Sequence, residues 1–194
     1  MRPATLESVL DLEWTMFSEV RSHQPVACQR SPETFRSVRG SQFATWTDPM
    51  LTAYRRDLVR ACDQGRNLFT EKYARMDGLI PPLTDNPMIE VIVDIETGWQ
   101  RTVQERFSAL FDHCCRLTDL ADDGSDFAVY LHCELETYSV ETLDLYFSNV
   151  KAALVSGRNL ALEALHHLVG RAGYPDLAQA EAALSRDLRR RRSR

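Results

Sequence analysis

Residues 34–77 and 126–169 of this chain align without a gap at a constant offset of 92 and are identical at ten positions. The identities include Phe35/Phe127, Thr45/Thr137, Leu51/Leu143, Tyr54/Tyr146 and Glu71/Glu163. They also include an unbroken block, Gly65-Arg66-Asn67-Leu68 against Gly157-Arg158-Asn159-Leu160, while Trp46/Tyr138 and Thr47/Ser139 are conservative exchanges. An internal duplication limits the fold severely. A duplicated chain is expected to form two similar halves around a pseudo-two-fold axis, with its repeated residues meeting on that axis or building equivalent joints.

The hydrophobic period says what those halves are made of. Leu6, Val9, Leu10, Met16, Phe17 and Val20 recur at the spacing of an amphipathic helix over residues 5–22. Ser31-Pro32 starts a second helix toward Trp46, because serine caps and proline suits the first turn. Thr47-Asp48-Pro49 opens a third, which Gly65 ends, and Asn67 caps a fourth through Met76. After Pro81-Pro82, Asn86-Pro87 opens a long helix carrying Ile89, Ile92, Val93, Ile95, Trp99 and Val103. The second copy repeats the plan with helices over 126–138, 139–157 and 159–171, and a last one runs from Asp176 to Arg190 after Gly173-Tyr174-Pro175. A polar loop with Asp122-Asp123-Gly124-Ser125 precedes that copy. No segment keeps a period of two, so the expected fold is all-α: a single compact domain, 1–194, of about nine helices. Residues 1–80 form the first repeat, 86–175 the second, and 176–194 a C-terminal helix with a basic tail.

A chain of 194 residues with 44% hydrophobic content supports one good core rather than two ordinary domains. Neither an apolar run of about 18 residues nor a secretory leader is evident, which predicts a cytoplasmic protein that makes no use of a membrane. Five cysteines (Cys28, Cys62, Cys114, Cys115, Cys133) are odd in number and two are adjacent, a pattern suited to free thiols. Net charge is −5, and five arginines between Arg189 and Arg194 leave the rest near −10. Such a body repels nucleic acid, and the arginine run reads as a solvated end.

The segments Gly65-Arg66-Asn67-Leu68-Phe69-Thr70-Glu71-Lys72-Tyr73-Ala74-Arg75-Met76, Ile95-Glu96 with Trp99-Gln100, and Glu134-Leu135-Glu136-Thr137-Tyr138-Ser139 carry a resemblance. Together with Leu12-Glu13-Trp14, Ser41-Gln42-Phe43 and Gly173-Tyr174, they resemble a bacterial family catalogued as domain of unknown function 4125. The resemblance implies a relationship across nearly the whole chain and supplies no mechanism. The arginine tail and His113-Cys114-Cys115 have no counterpart in that pattern.

Two residues stand out chemically, because each is a carboxylate on an apolar stripe. Glu13 lies in the series Leu6, Val9, Glu13, Phe17, Val20, and Glu96 in the series Ile89, Ile92, Glu96, Trp99, Val103. Burying an isolated charge is costly, so each needs a partner, a metal or a proton. The repeated arginines Arg66 and Arg158 are the expected partners, their guanidinium forks suiting a carboxylate. The alternative is that both arginines clamp an anionic ligand. Glu134 flanks the Phe127, Leu131, Tyr138 stripe and is expected to face inward, whereas Glu136 points toward Val129 and His132. A pocket between the repeats, with Glu13, Glu96 and Glu134 as catalytic groups and Arg66, Arg158, Trp99 and Tyr138 as ligand contacts, suits acid–base work on a small polar or anionic molecule.

A carboxylate-bridged metal pair is a further reading. Glu13, Glu71, Glu96, Glu163 and His166 offer four glutamates on four helices and one Glu-x-x-His unit, but Ala74 stands where the second histidine belongs. His113, Cys114, Cys115, His132 and Cys133 have no ordinary zinc spacing, and a Cys–His nucleophile pair among them lacks any mark of a depressed thiol pKa. No phosphate-binding glycine loop, nucleotide fingerprint or Ser-His-Asp order is present. The first reading is therefore a small-molecule enzyme or ligand-binding protein, compatible with a role in biosynthesis. Its rival is a structural or interaction module in which the same residues form buried ion pairs.

Overall fold

The computed structural model describes residues 2–20, 31–116, 118 and 126–192. Among them are ten helices and no strand: α1 (Arg2–Glu19), α2 (Pro32–Phe43), α3 (Asp48–Asp63), α4 (Leu68–Met76), α5 (Met88–Arg106), α6 (Ser108–Cys114), α7 (Phe127–Leu135), α8 (Val140–Val155), α9 (Leu160–Arg171) and α10 (Leu177–Arg192). The expected loop with Asp122-Asp123-Gly124-Ser125 and Cys28 lie outside the described residues. The tenth helix is α6. It follows Phe107, whose φ of −142° breaks the helical run, and the Glu181 side chain of α10 accepts hydrogen bonds from the Ala109 and Leu110 amides at 3.0 and 2.8 Å. That cap comes from far along the chain, so a local reading misses it.

Local chemistry sets the other boundaries. Ser31, Thr47, Asn67, Asp126, Ser139 and Asn159 each accept an amide of the first helical turn, satisfying donors that would otherwise be orphaned. The repeated block makes the same joint twice. Gly65 and Gly157 turn the chain at φ +67° and +69°, a conformation that glycine adopts without strain. Arg66 and Arg158 then donate their amides to Ala61 and Ala153 at 2.8 and 2.9 Å. Each following asparagine caps its helix and also reaches a distant carbonyl: Asn67 that of Met16 at 2.8 Å, Asn159 that of Trp99 at 3.3 Å.

Packing interlocks the halves. Helix α1 lies against α2, α3 and α4, and α5 against α7, α8 and α9; across the middle, α2 meets α9, α4 meets α7 and α3 meets α8. Gly40 permits the α2–α9 approach, since a Cβ there would lie 3.1 Å from Arg171 Nη2. At the centre the four repeated aromatic positions touch. Tyr54 meets Tyr138 at 4.8 Å between ring centroids, Trp46 meets Tyr146 at 5.3 Å, and Trp46 meets Tyr138 edge-on at 6.2 Å. A second, smaller core of Val103, Leu110, Phe111, Leu165, Val169 and Ala180 joins α5, α6, α9 and α10. No helix among the described residues is long and apolar enough to cross a membrane.

Candidate functional site

Glu13 projects from α1 into the core and has no solvent exposure. Its partner is Arg39 of α2, which donates Nε to Oε2 at 2.9 Å and Nη2 to Oε1, while Tyr54 donates its hydroxyl to Oε1 at 2.8 Å. Arg39 continues to Glu134 Oε1 at 2.9 Å and Gln42 Oε1 at 2.8 Å. On the far side of Glu134, buried Lys72 of α4 donates to Oε2 at 3.1 Å and to the Tyr130 hydroxyl at 2.8 Å, and Tyr138 donates to Oε1 at 2.9 Å. The Lys72 ammonium also sits over the rings of Phe69 and Tyr130, 4.5 and 4.1 Å from their centroids. Two carboxylates and two cations thus form one balanced, hydrogen-bonded chain. Burial pushes the Glu134 carboxyl up, but Arg39 and Lys72 overcome it and hold the group well below the usual carboxylate range.

Glu96 of α5 is treated differently. Tyr146 donates its hydroxyl to Oε1 at 2.6 Å, and among the described residues no arginine or lysine pairs with the carboxyl. Burial raises it to about 7, against the opposing pull of the Tyr146 hydrogen bond and with the help of the Glu134 charge. The same burial raises Tyr146, Tyr138 and Tyr54 well above their ordinary value, the carboxylates beside them adding to it, so the three phenols remain donors.

Glu96 lines a cavity of about 90 Å³, more than one water needs. Gln100, Leu131, Tyr146, Ala161 and Ala164 line it from the second half of the chain, and Arg39, Trp46, Tyr138 and Glu134 close it. Gln100 Oε1 and Thr97 Oγ1 are buried without a hydrogen-bond partner among the described residues. A larger hollow of about 350 Å³ lies on α3 among Arg55, Arg56, Val59, Arg60 and Asp63.

The expected pairing of Glu13 and Glu96 with the repeated arginines is corrected. Arg66 forks onto Glu71 with two bonds of 2.7 Å, and Arg158 onto Glu163 at 2.8 and 2.6 Å, all on the surface. The partner of each repeated arginine is the repeated glutamate five residues on, so neither arginine clamps an anion in the core. This also dissolves the proposed metal set. Glu71 and Glu163 are held by those arginines, Glu13 is held by Arg39, and His166 is exposed. Among the described residues no three His, Cys, Asp or Glu side chains are grouped to hold a metal ion, which applies equally to His113, Cys114, Cys115, His132 and Cys133.

Burial pushes Cys115 up to about 12, with Cys114 adding to it, and raises Cys114 and Cys133 as well, leaving these thiols protonated and poorly nucleophilic. Glu136 faces Arg75, at 2.6 and 2.9 Å, and His132 at 3.2 Å. Of the expected contacts, Tyr138 reaches the cavity, while buried Trp99 engages Asn159 through its carbonyl. Arg39 and Lys72 were not anticipated. Arg39 sits in the series Phe35, Arg39, Phe43, a charge on an apolar stripe of the same kind that singled out Glu13.

Residues 4–182 match the model of a family described as protein of unknown function (DUF4125). No curated protein and no solved structure matches the chain.

Proposed function

The chain belongs to the family described as protein of unknown function DUF4125, and from the chemistry of its cavity we propose that it binds a small polar molecule there, with Glu96 as the group that exchanges a proton with it. The observation that carries this reading is the Glu96 carboxyl at the cavity wall, which accepts the Tyr146 hydroxyl and, among the described residues, is paired with no cation. A carboxyl titrating near 7 matches what general acid–base catalysis requires at neutral pH, and a cavity with an unsatisfied acceptor at Gln100 offers a second handle for orientation. Glu13 and Glu134, fully paired with Arg39 and Lys72, hold the frame. In this reading the rival interpretation, buried ion pairs serving the fold, applies to Glu13 and Glu134 and not to Glu96.

The duplication gives the cavity its place. We infer that the halves face each other across an approximate two-fold axis near the Trp46, Tyr54, Tyr138 and Tyr146 rings, and that one copy has been filled for stability while the other has been hollowed for a ligand. Native mass spectrometry of protein isolated from its own cells tests the function. The expected result is a retained organic molecule on the wild type that is absent from a folded Glu96→Gln variant. Equal native and denatured masses for the wild type would move the working surface to the outside of the protein.

A further inference from the structure

Glu13 and Glu96 are counterparts by their contacts. Each accepts a tyrosine hydroxyl, from Tyr54 and Tyr146, which stand at the duplication offset. Three residues beyond each glutamate, the Met16 and Trp99 carbonyls accept the side chains of Asn67 and Asn159, again at that offset. Aligned in this way, the segments differ in what surrounds the two glutamates. Arg39 pairs with Glu13, Lys72 pairs with Glu134 beyond it, and Phe17 and Phe69 fill space. The positions equivalent to Arg39, Lys72, Phe17 and Phe69 are Leu131, Ala164, Gln100 and Ala161, and all four line the cavity. The cavity beside Glu96 is thus lined at the positions where the first segment carries two cations and two aromatic rings.

What remains at its wall defines the missing occupant. Glu96 and Gln100 Oε1 both ask for a hydrogen-bond donor, and Trp46, Tyr138 and Tyr146, whose ring type attracts positive charge, line the same cavity. The Arg39 guanidinium, at the edge, already donates to Glu13, Glu134 and Gln42. An anion would meet the carboxylates Glu96 and Glu134 with no free cation to receive it. We infer that the cavity takes a small organic cation of the guanidinium or primary-ammonium type, which supplies from outside the chain the charge that Arg39 supplies to Glu13 from within it. This rests on the proposed reading of the cavity as a ligand site and specifies what class of molecule enters.

The test uses the full chain at pH 8 and constant ionic strength, titrated with methylguanidinium chloride, methylammonium chloride, sodium formate or acetamide, with binding read by calorimetry and by the melting temperature. Methylguanidinium or methylammonium is expected to bind saturably in the millimolar range, as suits so small a probe, and about tenfold or more weakly to Glu96→Gln. Gln100→Leu, which keeps the carboxyl, is expected to weaken the same cation by a smaller factor. Leu131→Arg, which returns the internal cation, is expected to abolish binding, and Ala164→Lys serves the same purpose if that arginine prevents folding. Saturable, Glu96-dependent binding of formate or acetamide without the cations would overturn the cationic class while leaving the ligand site standing. Absence of saturable binding by all four probes, or cation binding unchanged in Glu96→Gln, would overturn the inference.

Discussion

Around Glu13 the chain supplies every partner: a guanidinium fork from Arg39, a phenol from Tyr54, and beyond Arg39 the Glu134–Lys72 pair. Around Glu96 it supplies one phenol, from Tyr146, and an empty volume. The two carboxylates sit on similar helices among similar neighbours, so their difference isolates what the partners do. With cations present, fully buried Glu13 joins a balanced network; without them, desolvation drives the half-buried Glu96 toward its neutral form.

Removing the difference from the first half has the largest expected effect. Arg39→Leu copies Leu131 into that half, strips Glu13 of its guanidinium and leaves Glu134 with Lys72. Uncompensated buried charge of this kind costs about 3–5 kcal/mol. Urea denaturation at pH 7 should show a loss of that order, and a loss below about 1 kcal/mol would mean that the network is far better hydrated than its burial implies.

The same reasoning applied to Glu96 reverses the sign. Its folded carboxyl titrates at about 7 and its unfolded one near the ordinary 4.5, so between these values the folded chain holds a proton that the unfolded chain has lost. Stability should therefore fall as pH rises from about 4.5 to about 7 and stay lower above it. Glu96→Gln removes this slope, keeps an acceptor for Tyr146, and should stabilise the ligand-free protein above pH 7 by on the order of 2–3 kcal/mol. Glu134 acts in the opposite sense. Its depressed pKa gives stability that is fully present above the ordinary 4.5 and is lost as pH falls below it. Thermal melts of the wild type and Glu96→Gln across pH 4–8 check the Glu96 slope, continuing the wild-type melts well below pH 4.5 checks the Glu134 slope, and coincident wild-type and variant profiles would remove the distinction between the two carboxylates.

Much of this was legible in the residues, and the part that was not follows from what a duplication preserves. Caps, glycine turns and apolar stripes are local, so the helices at Thr47, Asn67, Ser139 and Asn159 begin where the sequence places them. Glu13 and Glu96 declared themselves as charges on apolar stripes. Their partners did not, because repetition drew attention to Arg66 and Arg158. Those arginines are repeated for the sake of the joint that both halves need, where each clamps the glutamate five residues on. The chemistry that distinguishes the halves resides in residues present once: Arg39 and Lys72 in the first, Gln100, Ala161 and Ala164 in the second. Helix α6 escaped for a different reason, since Glu181 caps its start from α10.

The smallest expected effects fall where the halves agree. Asn67 and Asn159 each cap a helix and tie it to the carbonyl of another, so Asn67→Ala and Asn159→Ala should each cost about 1–2 kcal/mol, and nearly the same amount. The local part of that loss is a cap; the shared part is the tether to Met16 or Trp99. Denaturant midpoints of the two variants compare them directly. Equal losses, set beside the opposite responses to Arg39→Leu and Glu96→Gln, would place the asymmetry in the carboxylate surroundings alone. A much larger loss at Asn67 would show instead that the first half bears more of the fold's stability throughout, and the contrast between Glu13 and Glu96 would then be one symptom of a general division of labour.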